Sequence, residues 1–68
     1  MLKITLEAAR RNKRFTQKEA ADLLGVSNKT LYNWENGISF PPADKIDALC
    51  NLYGVPYDNL IFLPRNSL

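Results

Sequence analysis

A single cysteine and the absence of histidine limit how a chain of 68 residues can be stabilised. Small domains usually draw their stability from disulfides, from a structural metal or from tightly packed helices. Cys50 alone cannot form an intramolecular disulfide, and a zinc-finger site needs several cysteine and histidine ligands. The composition therefore predicts packed helices with no metal and no cofactor, and Cys50 is expected to be a small buried apolar residue.

The missing histidine also argues against catalysis. Histidine is the commonest general base, and it belongs to the Ser-His and Cys-His catalytic groups. The sequence also lacks a Gly-rich phosphate-binding loop and a cluster of metal ligands. We therefore expect a binding protein without catalytic residues.

The positive charge lies mainly in the first half of the chain. Residues 1–37 contain seven lysines and arginines against four acids, whereas residues 38–64 contain one lysine against three aspartates. This asymmetry favours a polyanionic partner, although the same charges could form an ordinary solvated face. No apolar stretch is long enough to span a membrane and no signal-peptide pattern is present, so the expected location is the cytoplasm.

Apolar residues recur at helical spacing between turn signals. This pattern predicts one domain over residues 1–68, with a core at about 4–60 and a short apolar tail at 61–68. Helices are predicted at about 5–13, 16–24, 28–36 and 42–53, followed by a short fifth helical turn that ends near residue 60. The core stripe of the fourth helix is formed by Ile46, Leu49, Cys50 and Tyr53.

Two of these helices meet across a very short turn, Gly25-Val26-Ser27. Thr16 and Glu19 have the spacing of a capping box at the start of the first helix of the pair. Gly25 supplies the positive φ that ends this helix, and Ser27 caps the next one. Because so tight a turn excludes antiparallel side-by-side packing, the two helices must cross steeply, as in a helix-turn-helix.

The third helix has a polar outward face once its inward pair, Leu31 and Trp34, is set aside. That face contains no acid and consists of Asn28, Lys29, Tyr32, Asn33 and Asn36. Asparagine can bridge adenine N6 and N7, lysine can reach guanine, and tyrosine can touch a thymine methyl group or a phosphate. A merely solvated face would usually mix both charge signs, so we favour an interface with DNA.

The chain resembles the lambda-repressor-like helix-turn-helix family of phage repressors, Cro proteins and related bacterial regulators. The resemblance covers residues 4–60 and rests on Thr16-Gln17, Ala21, Gly25-Val26-Ser27, Leu31, Trp34-Glu35, Gly37 and Pro41. It implies an all-α, compact five-helix domain that binds a double-stranded DNA operator, usually as a homodimer, with the third helix in the major groove. The implied function is sequence-specific transcriptional regulation, of a phage-like or bacterial repressor type.

The resemblance also implies roles for single residues. It assigns base contacts to Asn28, Lys29 and Asn33, and Tyr32 is added because it lies on the same face. Phosphate contacts are expected from Gln17, Ser27, Asn36, Lys13 and Arg14. Arg10 and Glu35 match a family pair that joins the first helix to the third, and a partly buried Glu35 requires a cation.

The sequence departs from the family pattern at two places. The family commonly has basic residues after Gly37 that contact phosphates, but this chain has Ile38-Ser39-Phe40. Ala20 stands where the family prefers a larger aliphatic residue, and either Leu23 or Phe15 is expected to fill that space. The first departure exposes Phe40, which we interpret as a dimer contact together with Ile61 and Phe62.

The segment Ile61-Phe62-Leu63 has two interpretations. It either seals the core or offers a surface to a protein partner, and the second is favoured because it lies beyond the last family helix. An alternative function follows from that choice. The chain could be an antitoxin or interaction module on the same fold, with DNA binding secondary.

Overall fold

The computed structural model describes residues 3–62. Leu63 and the rest of the predicted tail lie outside the described residues. Strand β1 (Ile4–Thr5) leads directly into helix α1 (Leu6–Asn12), and helices α2 (Gln17–Leu24), α3 (Asn28–Glu35) and α4 (Ala43–Tyr53) follow. A 3-10 helix at Tyr57–Asn59 and strand β2 (Leu60–Ile61) complete the described chain.

Side chains cap the first three helices at their N-termini. The Thr5 hydroxyl accepts from the Ala8 N–H at 3.2 Å, and the Ser27 hydroxyl accepts from the Thr30 N–H at 3.0 Å. At the start of α2 the predicted capping box is confirmed. There the Thr16 N–H donates to the Glu19 carboxylate at 2.8 Å and the Glu19 N–H donates to the Thr16 hydroxyl at 3.0 Å.

The turn between α2 and α3 is closed at the backbone. Gly25 has a φ of 73°, which confirms its predicted role at the end of α2. The Val26 N–H donates to the Ala21 carbonyl at 3.0 Å, and the Lys45 ammonium of α4 donates to the Leu24 carbonyl at 2.9 Å. These bonds fix where α3 starts relative to α2.

The core lies where the four α-helices meet. Trp34 belongs to it, as predicted, and its fully buried centre is formed by Leu6, Leu31 and Leu49. Of the two residues expected near Ala20, Phe15 packs against this core, whereas Leu23 is 61% exposed. Small side chains at Ala20 and Ala21 are completely buried and allow α3 to approach α2 closely.

The stripe predicted on α4 is buried only in part. Leu49 and Tyr53 are buried, while Ile46 and Cys50 are half-buried. The expectation that Cys50 is a buried residue is therefore corrected, because it is only half-buried. Its partial burial still raises the pKa of the thiol.

The described residues form a mostly helical domain, but the predicted count of five helices is not confirmed. They contain four α-helices, and the segment expected to form the fifth turn is a 3-10 helix of three residues. It leads into a parallel pairing of β2 with β1, in which Ile4 lies opposite Leu60 and Thr5 opposite Ile61. This pairing requires an extended backbone and so ends the helical turn at Leu60.

Among the described residues, no helix has the length and apolar character needed to cross a membrane.

Candidate nucleic-acid interface

The outward face of α3 borders an open recess of about 580 Å³. The structure brings together all four side chains for which base contacts are predicted, and it adds one residue from α2 and one from the segment after α3. The six residues that border the recess are Gln17, Asn28, Lys29, Tyr32, Asn33 and Ile38. Amide, ammonium and phenol groups therefore lie around one concave surface that contains no acid.

Gln17 connects the two ends of α3. Its side-chain oxygen accepts from the Asn28 amide at 3.1 Å, and its own amide donates to the Glu35 carboxylate at 3.1 Å. Because Gln17 is the first residue of α2, these two bonds fix the N-terminus of α2 against α3. A glutamine amide has a second N–H, so this side chain retains a donor for another contact.

A buried ion pair joins α1 to the end of α3. The Arg10 Nε donates to Glu35 Oε2 at 2.8 Å, and Nη2 donates to Glu35 Oε1 at 3.3 Å. The exposed fractions of the two side chains are only 9% and 2%. Arg10 also donates to the Phe15 carbonyl at 2.9 Å, and its hydrogen bond to Glu35 raises the pKa of the guanidinium.

This pair determines the charge of the α3 face. Glu35 is the only acid of α3, and its carboxylate points inward, where Arg10 neutralises it. Three donors, two from Arg10 and one from Gln17, satisfy its oxygens. The negative charge is therefore kept away from the recess at the same time as two helices are joined.

The residues with predicted phosphate contacts lie in different parts of the structure. Ser27 caps α3, and the Asn36 amide donates to the Tyr32 carbonyl at 2.8 Å. The Lys13 ammonium lies beside Gly54, at the end of α4, and Arg14 has a left-handed backbone with a φ of 64°. Of the five residues with a predicted phosphate contact, only Gln17 borders the recess.

A second exposed surface lies after α3 and around the 3-10 helix. The rings of Phe40 and Phe62 are 5.0 Å apart between centroids, and those of Tyr57 and Phe62 are 5.8 Å apart. Phe40 and Tyr57 are largely exposed, and we call Phe40, Tyr57 and Phe62 the aromatic patch. Ile61, also predicted as a dimer contact, is half-buried in β2, where it pairs with Thr5.

Two residues of this arrangement were missed at the sequence level. Ile38 borders the recess, although its apolar side chain gave no sign of a role there. Lys45 of α4 donates a hydrogen bond to the Leu24 carbonyl at the end of α2, and residue spacing does not indicate a contact between residues that far apart in sequence. Two features of the sequence could have drawn attention to them. Ile38 stands where the family commonly has a basic residue, and Lys45 is the only lysine in residues 38–64.

Four α-helices, three of them capped by side chains, a turn closed by Gly25 and a polar third helix define a helix-turn-helix domain. The sequence profile of a family described as Helix-turn-helix matches residues 6–60. The chain belongs to this family, the lambda-repressor-like or Cro/C1 type of helix-turn-helix protein.

Two curated bacterial proteins are similar to the chain. The HTH-type transcriptional regulator ImmR of Bacillus subtilis is 41% identical over 56 residues, which cover 82% of this chain and 44% of that protein. The antitoxin PezA of Streptococcus pneumoniae is 30% identical over 61 residues, which cover 90% of this chain and 39% of that protein. The chain thus spans less than half the length of either relative.

Proposed function

We propose that this chain binds duplex DNA sequence-specifically and acts in transcriptional regulation, as a repressor of phage-like or bacterial type. The observation that carries this proposal is the acid-free recess on α3, where hydrogen-bonding side chains converge. The similarity to a protein named as a transcriptional regulator supports it. The family membership supports placing α3 in the major groove.

In this proposal, the residues of α3 and the residue of α2 that border the recess contact different parts of the DNA. Asn28 and Asn33 offer amides that match the N6 and N7 of adenine, and Lys29 offers a donor to guanine O6 and N7. Gln17 lies at the N-terminus of α2, where free backbone N–H groups favour a phosphate oxygen. The bonds from Gln17 to Asn28 and Glu35 hold this phosphate-facing end in register with the reading helix.

We also propose that two copies bind one operator. A single α3 reads a half-site, and a symmetric pair would place two such helices about 34 Å apart on one face of the DNA. The aromatic patch supports this arrangement because it exposes two large rings, those of Phe40 and Tyr57. An isologous interface uses the same patch on both copies.

Selection of binding sites from a random duplex pool, at a stated salt concentration, tests the proposed function. We expect enrichment of one sequence, and we expect Asn33→Ala or Lys29→Ala to reduce the preference for it over scrambled DNA by about 1–3 kcal/mol. The matched control for Lys29→Ala is Lys18→Ala, which removes the same charge from an exposed position on α2. Equal losses on selected and scrambled DNA for both recess variants would contradict base reading.

Gln17→Ala is expected to behave differently, because Gln17 faces phosphate rather than bases in this proposal. It should weaken selected and scrambled DNA alike, measured as dissociation constants in the same titrations. A loss confined to the selected sequence would instead assign Gln17 to base recognition through Asn28.

A second candidate function is an antitoxin or protein-interaction module. The similarity to a protein named as an antitoxin and the exposed aromatic patch favour it. A random pool that yields no enriched sequence would favour this candidate over the repressor.

A further inference from the structure

The dipeptide Asn36-Gly37 lies at the C-terminal end of α3. The chain contains seven asparagines, and Asn36 is the only one that is followed by a glycine. An asparagine that precedes a glycine deamidates more readily than others, because glycine has no Cβ to keep its backbone nitrogen away from the asparagine side chain. Asn36 is also exposed, so water has access to it. Residue order and exposure together indicate a site of covalent change at the end of α3.

Two hydrogen bonds oppose such a change in the folded chain, and they differ in length. The Asn36 amide donates to the Tyr32 carbonyl at 2.8 Å, which holds the side chain along the last turn of α3. The Gly37 N–H donates to the Trp34 carbonyl at 3.4 Å, which is long for a hydrogen bond. The bond of the Asn36 amide is therefore the main restraint. Because helix ends open locally more often than the whole fold unfolds, opening of this one turn releases both groups.

Deamidation would change both the charge and the hydrogen bonding at this end of α3. Asn36 belongs to the outward face that contains no acid, and the net charge of the chain is only +2. A carboxylate at this position cannot donate to the Tyr32 carbonyl, and its negative charge lies at the negative end of the helix dipole. The product therefore loses the bond that closes the last turn, and it places a charge that repels phosphates on the outward face.

We propose that Asn36 is a deamidation site, and that its carboxylate product weakens the binding of the chain to DNA. The Gly37 backbone nitrogen loses its proton and attacks Asn36 Cγ, which closes a succinimide ring and releases the side-chain nitrogen as ammonia. Water then opens the ring. Attack of water at the main-chain carbonyl gives isoaspartate, and attack at the side-chain carbonyl gives aspartate. The chemical step is independent of the proposed function, whereas the effect on DNA binding rests on it.

Peptide mapping by mass spectrometry tests the chemical step, with the full chain incubated at mildly alkaline pH. We expect the mass gain of an amide converted to an acid at Asn36, with isoaspartate as the main product, before any change at Asn28. Asn28 is a matched internal control, because it is also exposed on α3 and its amide is also hydrogen-bonded, but a lysine follows it. Asn36→Gln retains an amide but disfavours ring closure, so it should abolish the change at this position.

The same chain in urea gives the reaction rate without the fold. The folded chain should react more slowly than this reference, since the last turn of α3 must open first. An unchanged Asn36 in the folded chain, after the sample in urea has reacted, would overturn the proposal. Equal conversion of Asn28 and Asn36 in the folded chain would also overturn it.

Asn36→Asp tests the effect on DNA, because this variant carries the charge of the product from the start. It should bind the selected duplex about fivefold more weakly than the parent chain, as expected for one added negative charge near phosphates. The matched control is Asn51→Asp, which adds the same charge at an exposed position on α4 and should bind like the parent. Equal affinities of Asn36→Asp and the parent would overturn the effect on DNA. Failure of the parent to bind any duplex would reject the proposed function, while the mass measurements would still decide the chemical step.

Discussion

At the scale of single residues, the buried ion pair and its neighbours show what the sequence can and cannot predict. The pairing of Arg10 with Glu35 was expected from the resemblance and from the cost of burying an unpaired acid. The role of Gln17 as a bridge between Asn28 and Glu35 was not expected. Such a bridge depends on the crossing angle of α2 and α3, which is a property of packing and leaves no mark on residue spacing.

Tyr53 is a core residue whose buried hydroxyl group lacks a hydrogen-bond partner among the described residues. The residue is only 2% exposed. Burial raises the pKa of this phenol to about 12, and the nearby Glu35 carboxylate adds to the rise. The hydroxyl therefore contributes desolvation cost without a compensating bond.

Tyr53→Phe should consequently leave the free energy of unfolding at pH 7 unchanged or raise it by up to about 1 kcal/mol. The parent chain should lose stability as pH rises from 10 to about 12, because the unfolded phenol releases its proton in this window while the folded one retains it. The variant should lack this part of the pH dependence. Urea unfolding at several pH values measures both effects, and Tyr57→Phe at an exposed position is the control.

A clear loss of stability in Tyr53→Phe at pH 7 would show that the hydroxyl does have a bonding partner. Parallel pH profiles for the parent and the variant above pH 10 would contradict the raised pKa.

At the scale of elements, the sequence predicted where helices start better than it predicted the secondary structure of the segment after α4. Thr16, Glu19 and Gly25 act within one helix or its turn, so their spacing carries the structural information. A short helical turn was expected after α4, and the segment forms a 3-10 helix, but the strand that follows it was not expected. The pairing of Leu60 with Ile4 joins opposite ends of the described chain, and only the folded core brings them together.

Lys45 provides the corresponding test for a contact between elements. Its ammonium donates to the Leu24 carbonyl, which lies at the C-terminal end of α2, where a positive charge is favourable. Lys45→Met keeps the length of the side chain but removes the charge and the donor. We expect it to lower the free energy of unfolding by about 1–2 kcal/mol, measured by urea denaturation.

Lys18→Met serves as the matched control for Lys45→Met. Lys18 lies on α2 as part of an exposed pair with Asp22 at 3.5 Å, and such pairs contribute less than about 0.5 kcal/mol. If both methionine variants lowered the free energy of unfolding by the same amount, the contact between Lys45 and the end of α2 would not stabilise the fold more than an exposed ion pair does.

At the scale of the whole molecule, the net charge limits how strongly the chain can attract DNA phosphates. The net charge of +2 is small, and the basic residues that the family commonly has after Gly37 are absent. A protein that contacts few phosphates through lysine or arginine binds DNA of arbitrary sequence weakly, and this binding changes little with salt concentration. In the proposed function, affinity for an operator therefore comes from base contacts in the recess and from association of two copies.

The proposed association of two copies can be tested at Phe40. Phe40 is 60% exposed and Leu23 is 61% exposed, so serine at either position removes a similarly exposed apolar side chain. Phe40→Ser should weaken self-association at least tenfold in sedimentation equilibrium, because a symmetric interface loses the burial of two rings. It should also reduce the affinity for a two-half-site operator while leaving the affinity for an isolated half-site unchanged. Leu23→Ser should match the parent chain in both assays, and an unchanged association of Phe40→Ser would exclude the aromatic patch from the dimer interface.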